Sequence, residues 1–346
     1  MIKLKSLLLF LIIGGTAFAQ PPADYAEIDV HARAAPARYK KDVAGLAAYL
    51  TKPAQNDYEK VRSFYVWMSE NIAYDVDLYR RYRPGTSLNA APVEVLKKGK
   101  AVCQGYSDLF NALCKEVGIK SQLVPGYSKG FGNRNRTDFS NADHAWNSVY
   151  IEKQWYLLDA TWGAGGLDEK MQYKAEFNEK YFLANPKEFI KDHMPLQPMW
   201  QLLDCPVSIE TFAAGDEAIA RALSADKNCQ PYAEQIARYE DMEAADRSLS
   251  AARDAYQFNP DNHLVMARGY MDHAHFIMSG IKRQMNSRQE IENAVGAQEE
   301  ALGYLKKAQE VLKKAKKGGE VEMDFIKKNI KNSEENLKAM KAVLSN

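Results

Sequence analysis

Residues 100–126, KAVCQGYSDLFNALCKEVGIKSQLVPG, constrain this chain more than any other stretch. A basic and small-residue lead-in, Gly99-Lys100-Ala101-Val102, runs into Cys103. Leu109, Leu113 and Val117 then recur every four residues, flanked by Phe110 and Cys114. That spacing predicts an amphipathic helix with one buried face. Gly118 supplies a left-handed stop, and residues 119–125 read as a short strand. Cys103 therefore falls at the first turn of a buried helix. Unpaired N–H groups and the positive end of the helix dipole favour a thiolate there. The same N–H groups suit an oxyanion on a substrate attacked by that sulfur. A buried structural cysteine would look the same within this stretch, so partners elsewhere in the chain decide between the two.

Residues 1–19 read as a secretory signal. Lys3 and Lys5 make the charged start, residues 7–13 are an unbroken apolar run, and Ala17-Phe18-Ala19 is a small-x-small cleavage site before Gln20. The run is too short for a stable membrane anchor, and no cysteine follows the cleavage site to carry a lipid. The expectation is a soluble periplasmic or secreted protein, with no stable membrane insertion after signal removal. With 46 Lys+Arg against 45 Asp+Glu there is no basic field for nucleic acid. The Lys-rich stretch 306–317 is interleaved with Glu and apolar residues, as on a solvated helix face.

Four cysteines are too few for a disulfide scaffold. Cys103 and Cys114 stand about 16 Å apart along one helix and cannot bond each other. Cys205 and Cys229 make a reasonable disulfide in an oxidising compartment, with two free thiols as the alternative.

The chain divides into residues 1–19 (signal), 20–204 (a catalytic-type domain), 205–230 (a linker or small insert) and 231–346 (a helical bundle). Residues 24–50 are an N-terminal arm with one helix from about 39. Residues 57–71 form a helix whose apolar face is Val61, Phe64, Tyr65, Trp67 and Met68, and 72–75 leave it extended. Residues 77–88 read as a surface loop with a Pro84-Gly85 turn. Pro92 opens a short helix ending near Gly99. Loops are expected at 126–142 and 163–166. Residues 178–203 are irregular, with 181–183 as the last strand. Beyond about 232 proline nearly vanishes and three or four long helices are expected, broken at Asn259-Pro260-Asp261-Asn262. Residues 246–274 faintly resemble helical-hairpin repeats, without a clean period.

Residues 143–151 and 154–160 read as strands joined by a tight connection at Glu152-Lys153. An even-length loop pairs even-numbered residues with odd-numbered ones. His144 and Asp159 then share a face, opposite or one diagonal step apart, within side-chain reach. Cys103, His144 and Asp159 are a nucleophile, a base and an orienter in that order.

The segments VCQGYSDLFNALCKEVGIKSQLVPGY and DHAWNSVYIEKQWYLLDATWG resemble the transglutaminase-like superfamily, in particular its bacterial members and the kyphoscoliosis peptidase group. The resemblance covers about residues 57–183. It implies an α+β, papain-like core, with a Cys-bearing helix packed on an antiparallel sheet carrying His and Asp. It also carries the catalytic roles onto Cys103, His144 and Asp159. An upstream aromatic residue often lines the oxyanion pocket in this superfamily. Tyr74 and Trp67 both qualify, although Trp67 sits at core spacing in its helix. Gln104, Trp146 and Trp162 are further pocket candidates, and Asp143 reads as a surface neighbour of His144.

The implied activity is an exported cysteine-dependent acyl transfer on amide or isopeptide bonds. Hydrolysis is favoured over transfer, because nothing marks a site for an acceptor amine. The substrate would be a peptide or protein, no cofactor is implied, and the helical domain would take a protein partner. The competing class is a non-catalytic binding module that keeps the fold and acts through its helices. No metal centre is expected: His263, His273 and His275 lack zinc-type spacing.

Overall fold

The computed structural model describes residues 24–81, 91–225 and 229–345. The expected signal at 1–19 lies outside the described residues, as does residue 82 onward of the expected 77–88 loop.

Three helices open the described chain: α1 (Ala26–Arg33), α2 (Val43–Leu50) and α3 (Asp57–Asn71). The single helix expected from about residue 39 is corrected twice. α1 precedes it, and α2 starts only where Asp42 accepts from the Gly45 N–H. α1 buries little beyond Ile28 and Ala32, too few apolar positions to show a period. α3 follows its sequence closely. Asn56 accepts from the Glu59 N–H, and Glu59 reaches back to the Gln55 N–H. Its Arg62 is buried and donates two hydrogen bonds of 2.7 Å to Asp29 of α1 and one to Glu179.

β1 (Ala73–Tyr74) leaves α3 and pairs in parallel with β2 (Lys100–Ala101). Between them lie α4 (Val76–Arg81), at the start of the stretch expected to be a loop, and α5 (Pro92–Lys98). Asp75 nucleates α4 by accepting from the Leu78 N–H. Gly99 closes α5 at φ +61°. α6 (Cys103–Glu116) ends just before Gly118, at φ +73°.

Next come β3 (Lys120–Ser128), β4 (His144–Ile151), β5 (Gln154–Leu158), α7 (Ala160–Gly163), β6 (Gly165–Leu167), β7 (Tyr173–Ala175), α8 (Pro186–Phe189) and β8 (His193–Pro195). The main sheet runs β5-β4-β3-β8, antiparallel throughout. Glu152 and Lys153 form its tight turn at φ 48° and 68°, the left-handed pair that a two-residue hairpin requires. Two expectations need correction here. The 163–166 loop is the end of α7 and the first strand of a small hairpin, β6–β7. The last strand is β8, not 181–183. Residues 179–181 form a 3-10 turn, and Ala184 makes one bridge to Leu157 before Pro186 starts α8.

Cys205 and Cys229 are disulfide-bonded, with Cα atoms 5.3 Å apart. They enclose α9 (Ile209–Ala213) and α10 (Asp216–Ser224), whose Phe212 and Ile219 pack with Tyr127 and Met194. Five helices follow where three or four were expected: α11 (Tyr232–Glu240), α12 (Ala244–Phe258), α13 (His263–Ser279), α14 (Arg288–Leu312) and α15 (Glu320–Ser345). Among the described residues, no helix is long and apolar enough to cross a membrane.

The helices after residue 231 are built into the α+β part. Tyr232 and Ile236 of α11 belong to the same buried cluster as Trp155 and Trp200. At the α12–α13 elbow, Asn259 and Asn262 donate to the Tyr127 hydroxyl at 2.7 and 2.8 Å. Ile236→Ala should therefore destabilise the whole protein by about 2–4 kcal/mol. Urea unfolding followed by tryptophan fluorescence should move to a lower midpoint as one transition. An unmoved core transition would show that the helices fold apart from it.

Candidate active site

Three local arrangements bring the cysteine into place. α6 starts at Cys103 without a side-chain cap, so its first-turn N–H groups have no side-chain acceptor. Asn147 of β4 donates to Ser107 O at 3.1 Å and to Asn111 Oδ1 at 2.9 Å, which registers α6 on the sheet. Tyr74 pairs with Ala101 across β1 and β2, two residues before the cysteine.

His144 opens β4, and Asp159 directly follows β5. The register Asn147↔Leu158, continued by one residue, sets Asp159 level with Trp146. That is one diagonal step from His144. His144 Nε2 lies 2.7 Å from Asp159 Oδ2. The carboxylate also caps α7, with Oδ1 accepting from the N–H groups of Thr161 at 2.7 Å and Trp162 at 3.2 Å. Its own N–H donates to Tyr181 O at 3.0 Å.

His144 Nε2 is thus engaged with Asp159, which leaves Nδ1 as the ring nitrogen for Cys103, a group that acts on the protonation of the ring. Burial alone would make His144 less basic. The Asp159 charge and hydrogen bond, with the Cys103 hydrogen bond and charge, outweigh it and hold the imidazole well above its ordinary range. Asp159 shows the mirror case. Burial pushes its carboxyl up, but the charge and hydrogen bonds of His144 and His193 leave it below the usual carboxylate range.

His193 escaped the sequence reading. It begins β8 and is 1% exposed. Its Nε2 lies 3.1 Å from the same Asp159 Oδ2, and its Nδ1 lies 2.6 Å from Asp192 Oδ1. Nothing in the chain spacing signals this, because the link runs through the pairing of β3 with β8.

His144, Asp159 and His193 bring three ligand atoms within 4.8 Å of one another. They do not fit a metal ion. Ligands about 2.1 Å from a tetrahedral zinc stand about 3.4 Å apart, whereas the His144–Asp159 contact of 2.7 Å is a hydrogen bond. His263, His273 and His275 pack against Tyr256, Tyr304 and Phe325.

A cleft of about 770 Å³ opens onto His144 and Trp162, with Tyr74, Lys129 and Glu176 also in its walls. Of the pocket candidates, Tyr74 and Trp162 line this cleft, and Trp146 and Gln104 are outside its lining. Trp146 is buried behind the histidines, with its ring 5.0 Å from that of His193. Gln104 turns along α6 and donates to Asp108. Trp67 is core. Asp143 is more than a surface neighbour. It accepts from the Ser128 N–H and hydroxyl, from Asn133 and from Arg136, and so organises the cleft loop after β3.

Known proteins resemble part of this chain. Residues 44–160 match the family model described as "Transglutaminase-like superfamily". The chain is 39% identical over 175 residues to kyphoscoliosis peptidase of Mus musculus, covering 50% of this chain and 26% of that protein. It is 28% identical over 210 residues to Hillarin of Drosophila melanogaster, covering 55% of this chain and 24% of that one. A solved structure described as a TGase is 20% identical, with 42% of this chain and 36% of that chain covered and a TM-score of 0.29. The chain spans about a quarter of the length of these two curated relatives.

The two opposite shifts set a pH window for stability. Asp159, depressed when folded, stabilises the fold above the free Asp value of about 3.9, and loses that contribution as pH falls through its folded value. His144, raised when folded, stabilises below the free His value of about 6.5, and loses it as pH rises through its folded value. Thermal unfolding should show losses at both ends, and Asp159→Asn should flatten both. Identical acid and alkaline slopes in the variant would contradict this linkage.

Proposed function

We propose that this protein is a cysteine-dependent acyl-transfer enzyme acting on amide bonds of peptides or proteins, a reading supported by the match of residues 44–160 to the transglutaminase-like superfamily. The observation that carries the reading is the buried, ionised His144–Asp159 pair held against Cys103 at an uncapped helix start. A buried ion pair of this kind is a poor choice for stability alone and a good one for poising a nucleophile.

In this reading the Cys103 thiolate attacks the amide carbonyl carbon and opens the C=O bond to an oxyanion. First-turn N–H groups of α6 face that charge. The Tyr74 phenol stays a neutral donor beside it, because burial and then the Cys103 charge hold its proton far above the ordinary phenol range. His144 passes its Nδ1 proton to the leaving nitrogen as the C–N bond breaks, and a thioester remains on Cys103. Water then attacks the thioester, His144 takes the water proton, and the acid leaves as the thiolate–imidazolium pair re-forms. Asp159 holds the ring and its charge throughout. Hydrolysis is the outcome in this scheme, and export through residues 1–19 would place it outside the cytoplasm.

The test is mass spectrometry of protein mixed with a peptide library and quenched in acid. An acyl adduct should map to Cys103 and vanish in Cys103→Ala. Asp159→Asn should cut its rate of formation by about 10²–10⁴-fold. Adducts that map to Cys114, or that survive in Cys103→Ala, would contradict the assignment.

A further inference from the structure

We propose that His193 is a positioning residue of this site: an imidazolium that donates from both ring nitrogens, held between Asp159 and Asp192, that keeps Asp159 anionic and limits how tightly His144 holds its proton. The function assigned to His193 rests on the triad reading above; its charge does not.

The charge follows from hydrogen-bond accounting. A neutral imidazole has one N–H and one lone pair. His193 presents both ring nitrogens to carboxylate oxygens, Nε2 to Asp159 at 3.1 Å and Nδ1 to Asp192 at 2.6 Å. A lone pair cannot face a carboxylate oxygen at either distance, so both nitrogens carry protons or one carboxyl does. The remaining partners of both carboxyls are donors: Asp159 Oδ1 accepts from the Thr161 and Trp162 N–H groups and its Oδ2 faces His144, while Asp192 Oδ2 accepts from Lys180 and Tyr181. Carboxylates supplied in this way are anions, and the geometry leaves the protons on His193.

Its surroundings agree. The ring of Phe189 in α8 stacks on His193 at 4.1 Å between centroids. Trp162 of α7 lies at 4.4 Å, Trp146 of β4 at 5.0 Å and Tyr181 at 5.5 Å. Aromatic faces favour a cation in such a cage. The ionisable groups facing His193 are Asp159, Asp192, His144 at 5.3 Å between ring centroids, and the Tyr181 hydroxyl, itself bonded to Asp192. Lys180 closes the far side, donating to Asp192 Oδ2 at 2.6 Å.

Taken in order, Cys103, His144, Asp159, His193, Asp192 and Lys180 alternate in sign and sum to zero with the thiolate and both imidazoliums formed. When His144 gives up its proton and Cys103 becomes an acyl thioester, the remaining four still balance. Asp159 thus keeps a partner whichever state His144 is in. The second cation also weakens the grip of Asp159 on the His144 proton, which a general acid has to release.

Nitrogen NMR of ¹⁵N-histidine-labelled full-length protein reads this directly, with His193→Gln assigning the signal. Both His193 ring nitrogens should show the protonated signature in the native protein. In His193→Gln the His144 titration should move to higher pH by about one unit or more, since a neighbouring positive charge is gone. Asp192→Asn should leave His193 with one ring proton and move His144 in the same direction. This second variant keeps the test open if the first fails to fold. A purely structural His193 would leave the His144 titration in place. A neutral His193 tautomer at about pH 7, or a His144 titration unmoved in the variants, overturns the proposal. If instead Cys103 alkylation proves indifferent to His144→Ala while His193 stays doubly protonated, the triad reading fails and the charge on His193 stands.

Discussion

Everything at this site depends on one buried carboxylate. Asp159 is 1% exposed, and taking its charge out of water costs several kcal/mol unless protein donors replace the solvent. Four do so: the N–H groups of Thr161 and Trp162 on one oxygen, and the ring nitrogens of His144 and His193 on the other. They come from the head of α7, from β4 and from β8, while the Asp159 N–H is spent on Tyr181. The anion therefore exists only where the hairpin, the short helix and the edge strand are all in place. Arg62 reinforces this from behind by tying α3 to Asp29 of α1 and to Glu179, next to the Tyr181 turn.

The long helices bear on the same centre from the other side. Asn259 anchors both the Tyr127 hydroxyl and the Phe139 carbonyl, and Lys317 pairs with Asp138 at 3.5 Å. Tyr127 sits beside Ser128, whose N–H and hydroxyl hold Asp143, the neighbour of His144. The loop that walls the cleft is thus braced by the α12–α13 elbow and by the turn before α15. A division at residue 204 suits the sequence better than the packing, because α11 completes the core under β5.

The legible parts were those in which nearby residues decide the outcome. α3 carries its own cap and apolar face. Cys103 starts its helix because the apolar period begins there and Gly118 ends it. The parity of the Glu152-Lys153 turn aligns His144 with Asp159 without any knowledge of the rest. What stayed hidden depends on long-range partners. β8 is three residues long, ends in Pro195 and exists because β3 is beside it. Without β8 nothing marks His193. α1 is ordered by its clasp on Arg62 and not by its own apolar pattern, and Gln104 found a partner within its own helix.

In the proposed mechanism Cys103 and His144 share a proton as a thiolate–imidazolium pair. Its most direct test is the rate of iodoacetamide labelling at Cys103 from acid to alkaline pH, with buried Cys114 as internal reference. Cys103 should label far faster than Cys114 at neutral pH, and His144→Ala should slow that labelling sharply. Equal Cys103 rates with and without His144 would rule the pair out.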